Sequence, residues 1–406
     1  MSIDAEKIKA LRDEPLDWRY KALPTGVTGT VAGFLADGPV LADFGTPLLT
    51  LDDTAIEHNI TLMARWAAEA GVTLMPHGKT TMAPELWRRQ LEAGAWGITL
   101  ANLPQLRVAR AFGVSRVMLA AALLDPAGLA WIRRELEEDP GFHFLCWVDS
   151  VRSVEIMDAA LRGTRRPVDV CLELGAPGGR TGVRGAAEAV AVADAVRAAP
   201  SLRLAGLAGY EGSYGHDASP ASLAAVRRYL EGLAGLFGRL AFETGEPILT
   251  AGGSAYFDQV VDVLGGLPAR LVLRSGAYVI HDDGFYREIS PFRTGVPFRP
   301  AMHGWARVIS RPEPGLALLD AGKRDLPFDE GLPEPQYARG KGELEGARVT
   351  AVMDQHTYLA VDPACDLACG DVVRMGLSHP CTAMDKWDLV PLVDGDAVVG
   401  LLRTFF

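Results

Sequence analysis

From residue 72 to about residue 275 the chain repeats one pattern: a short unbroken apolar run, then a longer stretch of helical period. The runs are VTLM (72–75), WGITLA (96–101), RVMLA (116–120), FHFLCWV (142–148), VDVCLEL (168–174), LRLAGLA (202–208), PILTA (247–251) and RLVLR (270–274). Unbroken apolar runs mark strands buried on both faces, as in parallel sheets. The stretches between them, such as DPAGLAWIRRELEE and SLAAVRRYLEGLAGLFGRLAFE, open on Asp, Ser or Pro, which suit a helix start. Eight βα units at a spacing of about 25 residues predict an α/β fold, a closed (β/α)8 TIM-type barrel, with an open doubly wound sheet as the alternative.

One further strand-helix pair, PLLTLDDTAIEHNITLMARWAAEAG (47–71), precedes the eight and is surplus to a barrel. From about residue 295 the pattern changes to short β-like runs, MHGWARVIS, GLALLD, GARVTAVMD, TYLAV, DVVRMGL and DLVPLV, split by Pro, Gly and Asp. They predict a C-terminal β-rich domain. The expected division is therefore an N-terminal segment 1–45 packing with the β domain, a barrel region 46–292 that includes the preceding strand-helix pair, and a β domain 293–406. PEPQYARGKGELEG (333–346) reads as a loop or linker.

Composition narrows the function. With 406 residues, 49% hydrophobic and 22% charged, the chain is long enough for two domains with a sizeable core. A net charge of −11 argues against a nucleic-acid partner, which would require clustered Lys and Arg. No apolar stretch is long enough for a membrane span, and MSIDAEKIKALRDEPLDWRY has no signal-peptide core, so a cytoplasmic location is expected. Five sparse cysteines suit a reducing compartment; Cys365 and Cys369 stand without a second pair and read as structural.

Catalytic groups in a barrel sit at the C-terminal ends of its strands. Lys79, in "TLMPHGKTTMAP", follows the first run and is either a solvated loop charge or a partly desolvated nucleophile. "LTAGGSAYF" places Gly252, Gly253 and Ser254 after the seventh run, where a glycine turn at a helix start suits a phosphate; Gly276-Ala277-Tyr278 follow the eighth. "ELGAPGGRTGVR" brings Arg180 to the same mouth, a planar cation fit for a phenolate or carboxylate. "AGYEGSYGHD" supplies Tyr210, Glu211 and His216. In the β domain, "LSHPCTAMDKW" holds His379 and Cys381 two positions apart. On a strand that spacing would put imidazole and thiolate on one face, as soft ligands for zinc acting as a Lewis acid, or as a packed core pair. His356 and Asp385 are further polar candidates.

These motifs, PHGKT, ELGAPGGRTGV, the GY stretch with His216, AGGS, SGAYV and SHPC, run in order through nearly the whole chain. Together they resemble the fold-type III pyridoxal-phosphate enzymes, specifically the D-serine dehydratases and D-threonine aldolases. The resemblance implies an alanine racemase-like barrel that holds pyridoxal 5'-phosphate and a β domain that closes the site, often in a homodimer. It makes Lys79 the Schiff-base lysine, Arg180 the partner of the cofactor's phenolic oxygen, and Tyr210 the neighbour of its ring nitrogen. Gly252, Gly253, Ser254 and Tyr278 become the phosphate cup. His77 joins the cofactor-binding set as base, support or packing, and His379 with Cys381 the zinc pair. Dehydratases of this type carry His-x-Cys, whereas aldolases more often carry His-x-Asp. The implied function is thus a lyase that dehydrates a D-3-hydroxyamino acid such as D-serine or D-threonine to a 2-oxo acid and ammonia. A metal-dependent aldolase and a non-catalytic cofactor-binding protein are the alternatives.

Overall fold

The structure is a computed structural model and describes residues 2–406. Strand β1 (Leu48–Asp52) is followed by eight parallel strands: β2 (Thr73–Leu74), β3 (Ile98–Leu100), β4 (Arg116–Leu119), β5 (His143–Val148), β6 (Val168–Leu174), β7 (Leu202–Gly209), β8 (Ile248–Ala251) and β9 (Arg270–Leu273). They pair in the order β2-β9-β8-β7-β6-β5-β4-β3. The seam between β2 and β3 is closed as well. Trp96 N–H donates to Leu74 O at 2.7 Å, Thr99 N–H donates to Pro76 O at 2.9 Å, and His77 bridges Thr99. The sheet is therefore a barrel and not an open layer.

Period-two alternation sorts the strand residues. Met75, Met118, Trp147, Cys171, Ala205 and Val272 form an apolar cluster of their own in the barrel's interior. Their neighbours Leu74, Val117, Cys146, Val170, Leu204 and Leu271 join the larger core between strands and helices. The helix starts follow the sequence signals. Asp125 accepts from Gly128 N–H to cap helix Pro126–Glu138, and Ser219 accepts from Ser222 N–H to cap helix Pro220–Phe237, each with proline in the first turn.

The β domain comprises β10 (Met302–Glu313), β11 (Leu316–Leu319), β12 (Glu334–Ala338), β13 (Gly342–Glu343), β14 (Arg348–Val352), β15 (Thr357–Ala360), β16 (Val372–Gly376), β17 (Leu389–Asp394) and β18 (Ala397–Arg403). Its main sheet runs β13-β12-β16-β10-β1-β17-β18. The surplus strand β1 thus lies within this sheet, antiparallel to β10 and parallel to β17. The helix that follows it, Asp53–Glu69, begins at once, with Asp52 as its cap. Ahead of β1, Leu16, Val31, Leu41 and Phe44 pack on Trp305, Val372, Leu389 and Leu401 of the β domain. Residues 333–346 are not a linker. They form the hairpin β12–β13, whose tight turn uses Gly340 and Gly342 at φ +74° and +98°. All five cysteines are free, and among the described residues no helix is long and apolar enough to cross a membrane.

Candidate active site

The C-terminal ends of the barrel strands open into a cavity of about 710 Å3, closed on the far side by groups of the β domain. Lys79 enters it from the short turn Gly78–Thr80 that follows β2. Glycine is required before it: a Cβ on Gly78 would lie 2.7 Å from both Ile98 Cγ2 and Trp87 Nε1. Trp87 Nε1–H donates to Gly78 O at 3.2 Å and holds the turn in place. Burial lowers the Lys79 pKa from the usual ammonium range, and the cations Arg180 and Arg274 reinforce the shift against the opposing Cys381. His77 shares the cavity. Its buried Nδ1 has no partner, and burial with the charges of Lys79, Arg274 and Arg180 holds its pKa well below the ordinary imidazole value.

Two turns at the ends of β8 and β9 are stitched together opposite this lysine. Gly252, at φ +84°, and Gly253 donate their amides to the fully buried carboxylate of Glu211 at 3.0 and 2.7 Å. Ser254 Oγ accepts from the amides of Gly276 and Ala277 at 3.2 and 3.1 Å. Ser275 Oγ–H is shared between the carbonyls of Gly252 and Gly253. The approach is close: a Cβ on Gly253 would meet Tyr210 Cε2 at 3.0 Å, and one on Gly276 would meet His77 O at 2.5 Å. Among the described residues no hydrogen bond engages the amides of Ser254 or Ala255, at the foot of helix Phe257–Leu264.

Arg180 lies 5.3 Å over the Tyr210 ring, and both line the cavity. Tyr278 does not line it. Its ring is buried and its hydroxyl accepts from Gln90 Nε2–H at 3.0 Å, so the side chain is turned away from the expected phosphate cup, and Gly276 and Ala277 stand there in its place. His216 is exposed on an adjoining cavity of about 400 Å3. His356 and Asp385 are exposed and outside the site.

Three further cavity groups were not singled out as candidates, although Glu173 opens the ELGAPGGRTGVR motif. Arg274, fully buried at the end of β9, donates to Thr250 Oγ1 and to Gly209 O, both at 2.7 Å, and its Nε has no partner. Glu173 is half-buried, and burial raises its pKa. Tyr286 comes from helix Phe285–Ile289 between the domains. The signal for the first two was a charged residue at the end of an apolar run, in RLVLR and VDVCLEL.

His379 and Cys381 reach the same cavity, though not from a strand. β16 ends at Gly376; His379 caps the helix Pro380–Met384 at φ +58°, and Cys381 lies in that helix. Burial raises the Cys381 pKa, but hydrogen bonds with His379 and Thr80 and the charges of His379 and Lys79 outweigh it and leave the thiol acidified. Cys381 Sγ is 3.4 Å from Thr80 Oγ1, next in sequence to the lysine. His379 Nδ1 meets Asp329 Oδ2 at 2.6 Å. Among the described residues there is no cluster of three or more His, Cys, Asp or Glu able to hold a metal ion. A pair with open positions suits a catalytic ion better than a structural one.

Residues 51–257, about half of the chain, match the family model described as the alanine racemase N-terminal domain. The chain belongs to this fold-type III family. Residues 301–393 match a second model, the putative serine dehydratase domain, which places the β domain in the D-serine dehydratase and D-threonine aldolase branch. The D-threonine aldolase of Arthrobacter sp. is 29% identical over 366 residues, 88% of this chain and 92% of that one. The crystal structure of D-threonine aldolase from Filomicrobium marinum is 27% identical and superposes with a TM-score of 0.76, covering 90% and 96% of the two chains. D-threo-3-hydroxyaspartate dehydratase from Delftia sp. HT23 shares the fold at 22% identity, with a TM-score of 0.74 over 90% and 99%. Structures of that dehydratase include mutants of a histidine and of a cysteine two positions further on, the cysteine mutant in a metal-free form.

The family implies pyridoxal phosphate, and the residues present fit it. A buried lysine of lowered pKa, a pair of glycine turns packed too closely to admit a Cβ and two unpartnered amides just ahead of a helix converge on one cavity.

Proposed function

We propose that the protein is a pyridoxal-phosphate- and metal-dependent lyase that dehydrates a D-3-hydroxyamino acid, such as D-serine or D-threonine, to a 2-oxo acid and ammonia. The observation that carries this reading is that Lys79 and the His379–Cys381 pair line one cavity. Relatives named as aldolase and dehydratase over nearly the whole chain support a catalyst over a cofactor carrier. The His-x-Cys spacing, matched by the mutated pair of the Delftia dehydratase, supports dehydration.

Lys79 Nζ would anchor the cofactor, and the amides of Ser254 and Ala255 would meet its phosphate. Arg180 would face its phenolic oxygen. When bound, the cofactor supplies an electron sink for charge at Cα. Lys79, its amine kept neutral more readily by burial, then takes the Cα proton at Nζ. His379 and Cys381 would hold a divalent ion, zinc being the natural choice for an N/S pair, whose chemistry is Lewis-acid stabilisation of charge on the β-oxygen. Tyr286 and the β-domain residues His379 and Cys381 complete the cavity wall facing Lys79. The Arthrobacter relative favours a second reading, D-threonine-type aldol cleavage to glycine and an aldehyde.

One assay decides. The purified protein, supplied with pyridoxal phosphate and zinc, is given D-serine and D-threonine while 2-oxo acid, ammonia and glycine are followed. Pyruvate or 2-oxobutanoate with ammonia is expected; glycine with acetaldehyde would establish the aldolase instead. Lys79→Ala should abolish turnover and the absorbance of lysine-linked cofactor, and survival of that absorbance would overturn the scheme.

A further inference from the structure

His379 occupies a backbone conformation that its own element does not explain. At φ +58°, ψ +82° it lies in the left-handed region, which is strained for any residue with a Cβ, and Pro380 follows directly. The compensation comes from the barrel's exit loop. Asp282, fully buried, accepts the His379 amide on Oδ2 at 2.9 Å, while its Oδ1 accepts the amides of Tyr286 at 2.7 Å and Gly284 at 3.2 Å. One carboxylate thereby fixes two cavity walls at once. The imidazole is held by a second carboxylate. Asp329 Oδ2 faces Nδ1 at 2.6 Å, and Asp329 Oδ1 accepts from Thr382 Oγ1–H at 2.6 Å. With Nδ1 engaged by Asp329, Nε2 is the nitrogen left for a ligand.

We propose that Asp282 and Asp329 are the positioning residues of the metal pair, Asp282 through the main chain of His379 and Asp329 through its ring. The inference rests on the reading of His379 and Cys381 as metal ligands. Carboxylates that orient a ligating histidine typically govern metal affinity by about 10- to 100-fold. Asp282 adds a constraint of a different kind: without it, the strained turn relaxes toward an ordinary conformation and carries the ring out of line with Cys381.

The test uses the cofactor-loaded enzyme, stripped of metal with a chelator and titrated with Co2+, whose thiolate charge-transfer band reports Cys381 ligation directly. The variants are Asp282→Asn and Asp329→Ala, the latter at a side chain that is 40% exposed and tolerant of replacement. Expected is a loss of Co2+ affinity of about 10- to 100-fold in each variant, with the absorbance of lysine-linked cofactor unchanged. Wild-type affinity and band in both variants would overturn the proposal. So would loss of the cofactor absorbance along with the metal, since that would make the two residues general supports of the fold. A wild-type enzyme that binds Co2+ with no thiolate band would sink the metal reading itself, a result distinct from either.

Discussion

Replacing Gly276 by alanine tests the cradle without touching any reactive group. Gly276 has φ −132°, ψ −32°, which alanine adopts without strain, so only space is at issue. Its new Cβ would lie 2.5 Å from His77 O, 2.7 Å from His77 Cβ and 2.9 Å from His77 N. Those atoms belong to the segment that carries Lys79, and ordinary contact begins near 3.4 Å. The two strand ends must separate by several tenths of an ångström or more. Overpacking of this kind costs about 1–3 kcal/mol. If the strain falls on the cofactor site, the dissociation constant for pyridoxal phosphate rises roughly 5- to 150-fold. The assay is an absorbance titration of the cofactor-free protein, with Gly266→Ala, which has no neighbour within 4 Å of its Cβ, as the control. Equal affinities in the two variants would refute the claim that the close packing of the Gly276 turn against the His77–Lys79 segment shapes the cofactor site.

Two further outcomes follow from buried charge. Burial pushes the Asp283 carboxyl up from 3.8 to about 6, and its Oδ2 has no partner. A raised acid disfavours the native state increasingly as pH climbs through that window, and the full penalty above it is about 3 kcal/mol. Asp283→Asn should therefore melt above the wild type at pH 8, with the advantage fading as pH falls through 6 and gone near 4; melting curves that run parallel across pH would contradict this. Arg274 contributes to the lowered Lys79 pKa, so Arg274→Met should move the pH profile for reaction of Lys79 with pyridoxal phosphate upward. A downward shift, measured in the same folded protein, would show that some other group sets the charge there.

The barrel was legible because buried parallel strands leave unbroken apolar runs, and each of the eight runs coincides with an observed strand to within two residues at either end. That Lys79 and the Gly252–Ser254 turn lie at the barrel mouth was legible because they sit next to those runs. The partners that give them their chemistry were not. Glu211 meets Gly252 from 41 residues away, and Asp329 meets His379 from 50, distances over which no local pattern speaks. His379 and Cys381 converge for a reason the i, i+2 strand argument did not contain, a left-handed cap at a helix start. Tyr278 was misplaced because SGAYV shows a tyrosine beside the cavity without showing which way its hydroxyl turns, and Gln90 decides that. The hairpin at 334–343 hid behind glycine and charge, both equally at home in a loop.

β1 has a wider bearing than its five residues suggest. It is an interior member of the C-terminal sheet, with β10 on one side and β17 on the other, so the barrel is in effect an insertion between two neighbouring strands of the β domain. A fragment beginning at residue 293 would lack a central strand and would expose two unpaired edges. The synthesis order matters too: β1 emerges first and waits through some 250 residues before Leu51 can meet Met302. The junction is also stiff, because Asp52 ends the strand and caps the barrel helix in one step. With no slack at that crossing, the half of the molecule bearing His379 and Cys381 is indexed to the half bearing Lys79, and the two sets of reactive groups keep a common frame of reference.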